Sequence, residues 1–259
     1  MRRILVLLTM IVLTPPLAAV SIVSRAIGVP DRPGRPYRWV THTWSRAVLW
    51  AAGVKIRLHD AERMGDGQTP LIFASNHVSW FDVFALAAVL PRAAFISKAE
   101  LMRIPIFGWG SRALGTVPIE RANRKAAFAS YEQAAKSVRR GLSLVVFPEG
   151  TRGRNYALRP FKKGPFVLAI AAAAPVVPVI VHGTLSIMPK GSWRIRPGTI
   201  DLHFLEAIPT AGLTYEDRDP LMRQVHDRMG EALRALYGDA KESTSPAGVA
   251  GHLTFAPHG

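Results

Sequence analysis

A histidine and an aspartate five positions apart, His77 and Asp82, are the residues in this sequence best suited to acid-base chemistry. The apolar run at 71–74 predicts a buried strand before them, and the run at 83–90 predicts a buried helix after them. His77 is therefore expected at a strand-to-helix junction, with Asp82 about one helical turn beyond a start at Ser79. From there the carboxylate can reach one imidazole nitrogen, and the other nitrogen can take a proton from a substrate hydroxyl.

The same residues also fit a purely structural role. Ser79 and Asp82 have the spacing of a capping box, in which a serine begins the helix and an acid at the third helical position closes it. Under that interpretation Asp82 only caps a helix and His77 is an ordinary loop histidine. The spacing alone leaves both interpretations open, so the rest of the chain must decide.

Length and composition limit the classes of function. A chain of 259 residues is long enough for one sizeable domain plus an appendage, and 33 Lys and Arg against 18 Asp and Glu give a net charge of +15. Such a charge attracts anions: nucleic acid, anionic lipid or a phosphorylated substrate. The absence of cysteine excludes disulfides, cysteine-based zinc sites and thiol nucleophiles.

Several further activities lack their sequence motif. The aromatic residues do not alternate with the basic ones as a base-stacking surface would require, so nucleic acid is not expected as a partner. The chain has no Gly-x-Ser-x-Gly elbow, Walker loop, His-Glu-x-x-His motif or dinucleotide-binding Gly-x-Gly-x-x-Gly. His182 and His203 are expected to be structural, without nearby acidic ligands for a metal.

The N-terminal segment can associate with a membrane. Residues 4–24 carry no charge and are long enough to span a bilayer, although Pro15-Pro16 is expected to break or kink a helix there. A cleaved signal peptide and a retained anchor both fit this pattern. Basic residues on both flanks favour a bent segment with both ends on the cytoplasmic side.

A second helix is predicted after a Pro/Gly/Arg linker at 30–36. Its apolar positions recur at helical spacing, and tryptophan, which favours the headgroup level of membranes, occurs three times. Two placements are possible, at the membrane interface or against the protein's own core. We expect the first, because an apolar segment precedes this helix. The residues concerned are Tyr37, Val40, Trp44, Ala47, Val48 and Ala51 on one face, with Trp39, Trp44 and Trp50 as the tryptophans.

From Val54 onwards strands alternate with helices, which predicts an α/β fold with a mixed, largely parallel central sheet flanked by helices. A strand broken by Pro178 and a last helix capped by Asp219 are part of this prediction. The domain organisation follows: a membrane anchor and interfacial helix over 1–53, one domain over 54–238, and a flexible tail over 239–259.

A second set of polar residues follows the apolar run at 142–147. A proline and a glycine bracket Glu149 in Phe-Pro-Glu-Gly-Thr-Arg, which predicts a tight loop at the carboxyl end of a central strand, the usual ligand side of such sheets. Arg152 would lie near that edge and suits phosphate recognition. Alternatively Glu149 and Arg152 form a surface ion pair, and Arg121 is a solvated charge.

Together these segments resemble the four ordered sequence blocks of the glycerolipid acyltransferases. The blocks are Asn-His-Val-Ser-Trp-Phe-Asp at 76–82, the segment 115–121, the loop 147–152 and Val-Val-Pro-Val at 176–179. Their order and spacing make the resemblance specific, and it covers roughly 54–205. It is strongest to the members that acylate lysophosphatidic acid.

The resemblance implies roles for particular residues. His77 would be the base and Asp82 the group that orients it. The acceptor and its phosphate would be bound by Lys98, Arg121, Glu149, Gly150 and Arg152. Two positions depart from the usual pattern, Glu120 for Asp and Gly153 for Ser, and both are expected to affect substrate preference.

The implied reaction is direct transfer of an acyl group from a thioester, acyl-CoA or acyl carrier protein, to the 2-hydroxyl of lysophosphatidic acid, without a cofactor or metal. The implied partners are membrane lipids and these two substrates. Since the thioester donor is cytoplasmic, the resemblance favours a retained anchor on the cytoplasmic side of an inner membrane. The alternatives are acylation of another lysolipid such as lyso-ornithine lipid, a non-catalytic lipid-binding protein, and a periplasmic lipid hydrolase.

Overall fold

The structure is a computed structural model that describes residues 1–30, 36–120 and 124–238, with the backbone alone at 124–128. Three predictions fall outside these residues. They are most of the linker at 30–36, the predicted phosphate contact Arg121 and the predicted tail 239–259.

A seven-stranded sheet in the order β1-β7-β6-β2-β5-β3-β4 forms the centre of the domain. Strands β2 to β6 run parallel to one another, β7 is antiparallel to β6, and β1 is parallel to β7. The predicted mixed, largely parallel sheet is therefore confirmed. The strands are β1 Val54–His59, β2 Ile72–Ser75, β3 Ala93–Lys98, β4 Val117–Ile119, β5 Ser143–Val146, β6 Val176–His182 and β7 Gly198–Phe204.

Helices cover both faces of the sheet. The buried side chains of α5, α6 and α8 pack on one face, and those of α2 and α3 pack on the other. Coverage on both sides explains why the central strands are continuous apolar runs. The helices are α1 Arg2–Ala26, α2 Pro36–Ala52, α3 Phe81–Val89, α4 Phe107–Ala113, α5 Arg124–Arg139, α6 Gly164–Ala172, α7 Thr184–Ile187 and α8 Arg218–Tyr237.

The five parallel strands all end at the same edge of the sheet, which is the ligand side of an open α/β sheet. The segments that follow β2 and β5 contain His77 and Glu149, respectively, and these two strands are neighbours. Lys98 is the last residue of β3, on the other side of β5. The parallel topology therefore brings the predicted site residues to one edge.

Helix α1 is long and apolar enough to cross a membrane, the one such helix among the described residues. It runs through Pro15 and Pro16 without interruption, so the expected break does not occur. The helix is fastened to the domain: Trp44 Nε1 donates to Thr14 Oγ1 at 3.1 Å, and the Arg25 guanidinium donates to the Ala113 carbonyl at 2.8 Å. Much of its remaining surface is exposed: Ile4, Leu5, Leu7, Leu8, Ile11, Val12, Val20 and Val23.

The expectation for α2 is wrong in its main point. The apolar face of α2 packs on the domain core through Val48, Leu49 and Ala51, all of them buried. Periodicity predicts an apolar face but not what covers it. Trp39 and Trp50 nevertheless point outward and are exposed.

Two local predictions are also wrong. The capping box before α8 joins Thr214 and Asp217, and Asp219 lies inside the helix, where it forms an ion pair with Lys163 at 2.9 Å. Pro178 does not break β6. The ladder between β6 and β7 begins at Val179, so no hydrogen bond of that ladder requires an N–H from Pro178.

Candidate active site

The predicted pair at the start of α3 is formed. His77 Nδ1 lies 2.8 Å from Asp82 Oδ2, and the aspartate side chain is fully buried while the imidazole is 14% exposed. A carboxylate accepts hydrogen bonds, so Nδ1 carries the proton and Nε2 keeps its lone pair. The ring thus has the tautomer that a base needs.

Asp82 also closes the turn before α3. Its Oδ2 accepts the backbone N–H groups of Val78 at 2.7 Å and Ser79 at 2.8 Å. The hydroxyl of Ser79 accepts from Phe81 N–H and donates to the Met188 carbonyl. The predicted capping box with Ser79 at the N-cap is not formed, since the helix begins at Phe81 with Trp80 as its N-cap, but one oxygen of Asp82 both closes the preceding turn and orients the histidine.

The loop after β5 surrounds His77. The imidazole stacks on the Phe147 ring with centroids 4.0 Å apart. Glu149 Oε1 accepts His77 N–H at 2.9 Å, and Gly153 N–H donates to the His77 carbonyl at 2.7 Å. The first and third sequence blocks, distant in the chain, thus form one structural unit.

Gly150 allows this loop to turn. Its φ of +73° lies in the left-handed region that favours glycine, and its N–H donates to the Phe147 carbonyl at 2.9 Å. A residue with a side chain would be strained there. The backbone conformation therefore explains why a glycine occupies position 150.

The predicted surface ion pair between Glu149 and Arg152 does not form. Glu149 is buried, and the Arg152 guanidinium lies over the Trp80 ring, 4.9 Å from its centroid. Burial lowers the pKa of Arg152, whereas the nearby charge of Asp82 raises it. Arg152 is therefore close enough to the His77–Asp82 pair to interact with its charge.

Of the two remaining predicted cations, Lys98 lies along the same edge of the sheet. Lys98 is exposed at the end of β3 and pairs in register with Ile119 of β4. Arg121 follows two residues after Ile119, and its own position lies outside the described residues. The structure thus brings Glu149, Gly150 and Arg152 beside the histidine and places Lys98 at the same edge.

One group of side chains in the described part of the chain has metal-ligand chemistry. Ligand atoms of His59, Asp201 and His203 lie within 4.8 Å of one another, so the expectation that His203 has no nearby acidic group is wrong. Arg57 already donates to both oxygens of Asp201, at 2.8 and 2.9 Å. His203 bonds to the Tyr237 hydroxyl at 2.7 Å, which favours a structural network over a metal site.

Comparisons with known proteins give the family. A family model described as Acyltransferase matches residues 55–182. A putative 1-acyl-sn-glycerol-3-phosphate acyltransferase of Caenorhabditis elegans is 32% identical over 212 residues, covering 81% of this chain and 74% of that protein. The human 1-acyl-sn-glycerol-3-phosphate acyltransferase beta is 32% identical over 205 residues, covering 78% and 73%. This chain belongs to the acyltransferase family.

A solved acyltransferase shares the fold. The crystal structure of the 1-acyl-sn-glycerophosphate acyltransferase of Thermotoga maritima superposes with a TM-score of 0.67 at 27% identity, covering 90% of this chain and 98% of that one. Other relatives are longer. The match to a chloroplastic enzyme of Brassica napus, 36% identical over 151 residues, spans only 44% of that protein.

Sequence reasoning did not assign a role in the site to three residues. Asn76 bridges β2 and β6, because its side chain exchanges hydrogen bonds with both backbone groups of Val181. Phe147, beneath the imidazole, carries no polar group to single it out. Gly153, expected to affect substrate preference, contacts the His77 carbonyl through its backbone. For Asn76 and Phe147 the available signal was their position in the quoted blocks, and for Gly153 it was the departure from the usual serine directly after the third block.

Proposed function

We propose that the chain is a 1-acylglycerol-3-phosphate O-acyltransferase. It would transfer a fatty acyl group from a thioester to the sn-2 hydroxyl of lysophosphatidic acid, forming phosphatidic acid for phospholipid synthesis. The observation that carries this proposal is the His77–Asp82 pair at the ligand edge of an acyltransferase-family fold. The names of the relatives support the acceptor.

The geometry suits direct transfer. His77 Nε2 takes the proton of the acceptor hydroxyl, and the hydroxyl oxygen forms a bond to the carbonyl carbon of the thioester. The tetrahedral intermediate then collapses, the carbon–sulfur bond breaks, and the thiolate receives the proton held by His77. Asp82 keeps the ring in the required tautomer and stabilises the imidazolium, as the acid of a catalytic triad does.

Basic side chains would bind the acceptor phosphate. Arg152 lies beside the pair, and Lys98 lies at the same edge of the sheet. Arg121 is assigned from the sequence block alone. A cluster of like charges repels itself unless an anion binds there, so a phosphomonoester is the natural partner.

The donor would be acyl-CoA or acyl carrier protein, and no further cofactor is proposed. Both donors are cytoplasmic, whereas lysophosphatidic acid resides in the membrane. The exposed apolar surface of α1 supports a membrane position. We place the enzyme on the cytoplasmic side of the inner membrane, with α1 as a retained anchor.

Acylation of a different lysolipid, such as lyso-ornithine lipid, is the second candidate, because the pair would act on any hydroxyl acceptor. A non-catalytic lipid-binding protein has no use for an oriented histidine. The test is acylation by the purified full-length protein across a panel of lysolipids with both donors. Phosphatidic acid as the main product supports the proposal, and acylation of other acceptors alone refutes it.

A further inference from the structure

The carboxylate of Glu149 faces the protein backbone. Its Oε1 accepts from His77 N–H at 2.9 Å, and its Oε2 accepts from Arg159 N–H at 3.3 Å. The residue is 4% exposed. A side chain that binds an acceptor would be expected to present an oxygen to the open side of the site, and this one presents both to main-chain donors.

The loop after β5 holds His77 at three points. Phe147 stacks on the ring, Glu149 binds the peptide N–H, and Gly153 binds the peptide carbonyl. The loop itself is closed by Lys162 N–H, which donates to the Pro148 carbonyl at 2.8 Å. Both the plane of the imidazole and the peptide that carries it are therefore fixed from one side.

The geometry points to Glu149 as a positioning residue, whose carboxylate holds the His77 peptide so that the imidazole stays hydrogen-bonded to Asp82. The resemblance to the family implied acceptor binding for Glu149, and the positioning role replaces it. The catalytic part of this inference rests on the proposed function. Loss of the carboxylate would release the base, and a misplacement of about 1 Å can cost about 10²-fold in rate.

Protonation of Glu149 adds a pH dependence to this role. The pKa of Glu149 is raised to about 7, because burial and, to a smaller extent, the negative charge of Asp82 together outweigh the two N–H donors and the charge of Arg159, which lower it. Further ionisable groups at this loop are His77, Arg152, Lys190, whose Nζ donates to the Arg152 carbonyl at 2.8 Å, and Lys162, whose stem lies beside Gly150. The charged carboxylate holds the peptide above pH 7, and this hydrogen bond weakens as pH falls through 7, because a neutral carboxyl oxygen is a poorer acceptor than a charged one.

Kinetics can separate positioning from acceptor binding. Glu149→Ala should lower kcat by about 10- to 100-fold and change the KM for the acceptor by less than about 3-fold. Glu149→Gln should retain more of kcat than Glu149→Ala, because the glutamine carbonyl can still accept from His77 N–H. In the pH profile of kcat for Glu149→Gln, one ionisation should disappear from the acid limb. The exposed carboxylate Glu206 is the matched control, because Glu206→Gln should leave kcat, the KM for the acceptor and the pH profile unchanged.

A measurement that does not depend on enzyme activity can test the positioning role separately from the proposed function. The ¹⁵N chemical shifts of the His77 ring report its tautomer in the free protein, and Glu149→Gln, the milder variant, should shift them toward a mixture. Unmoved shifts, or a rise in the acceptor KM with kcat retained, would overturn the positioning role. If the wild type acylates no lysophosphatidic acid, the proposed function fails, and the ring shifts still decide the role of Glu149.

Discussion

At the scale of single residues, the base is the most direct test of the site. His77→Ala should lower turnover by about 10²- to 10⁴-fold, the usual contribution of a positioned base. Folding should persist, since Asp82 keeps its bonds to Val78 and Ser79. Turnover and thermal unfolding of the purified variant measure both effects.

The chain supplies its own control for this variant. His226 also lies beside an aspartate, at 3.5 Å from Asp227, but on the half-exposed surface of α8. His226→Ala should retain full turnover. A His77→Ala protein that turns over like the wild type would remove the base assignment.

Arg152 tests the acceptor. Each lost charge-assisted contact costs about 1.5–3 kcal/mol, which is roughly ten- to more than a hundredfold in a rate ratio. Arg152→Ala should therefore reduce kcat/KM for lysophosphatidic acid far more than for monoacylglycerol, and Arg121→Ala should do the same. Arg223→Ala, at an exposed arginine of α8, is the control. Equal losses with both acceptors would mean that the phosphate is bound elsewhere and would favour lyso-ornithine lipid.

At the scale of elements, α1 carries eight exposed large apolar side chains, more than any other helix or strand in the described part of the chain. Ile11 is 66% exposed at the middle of this helix. Replacing a central isoleucine by aspartate in a membrane helix costs about 3–4 kcal/mol, so Ile11→Asp should lower the membrane partition coefficient about 100-fold or more. Flotation with liposomes at high salt measures it.

The control is another exposed aliphatic residue on a helix that is not proposed to enter the membrane. Leu236 of α8 is 46% exposed, and Leu236→Asp should leave flotation unchanged. Deletion of residues 1–53 is a less suitable test than the sequence suggests, because it would also remove the α2 side chains buried in the core. Equal flotation of both variants would place the anchor outside α1.

The elements show what the sequence can predict and why. The apolar run at β5 and the His77–Asp82 spacing are local patterns, so the strand and the pair were both predictable. The contact between Glu149 and His77 joins residues 72 positions apart, and no local pattern encodes such a partner. For α2, the apolar stripe that fits a membrane interface also fits a protein core, and only the tertiary structure distinguishes them.

At the scale of the whole molecule, the net charge of +15 should act together with α1 in membrane binding. Insertion of an apolar helix depends little on salt, whereas attraction to anionic lipid is screened, with a Debye length of about 10 Å at 0.1 M and about 3 Å at 1 M salt. The wild type should therefore remain bound to anionic vesicles at 1 M salt. Ile11→Asp should bind them at 0.1 M salt and dissociate at 1 M.

Vesicles of purely zwitterionic lipid separate the two contributions. The wild type should still bind them through α1, while Ile11→Asp should not bind them at either salt concentration, since neither an apolar anchor nor an anionic surface remains. Release of the wild type by 1 M salt would contradict this division, because it would make charge alone responsible for membrane binding. In that case α1 would serve only as the helix that packs on α2 and α4.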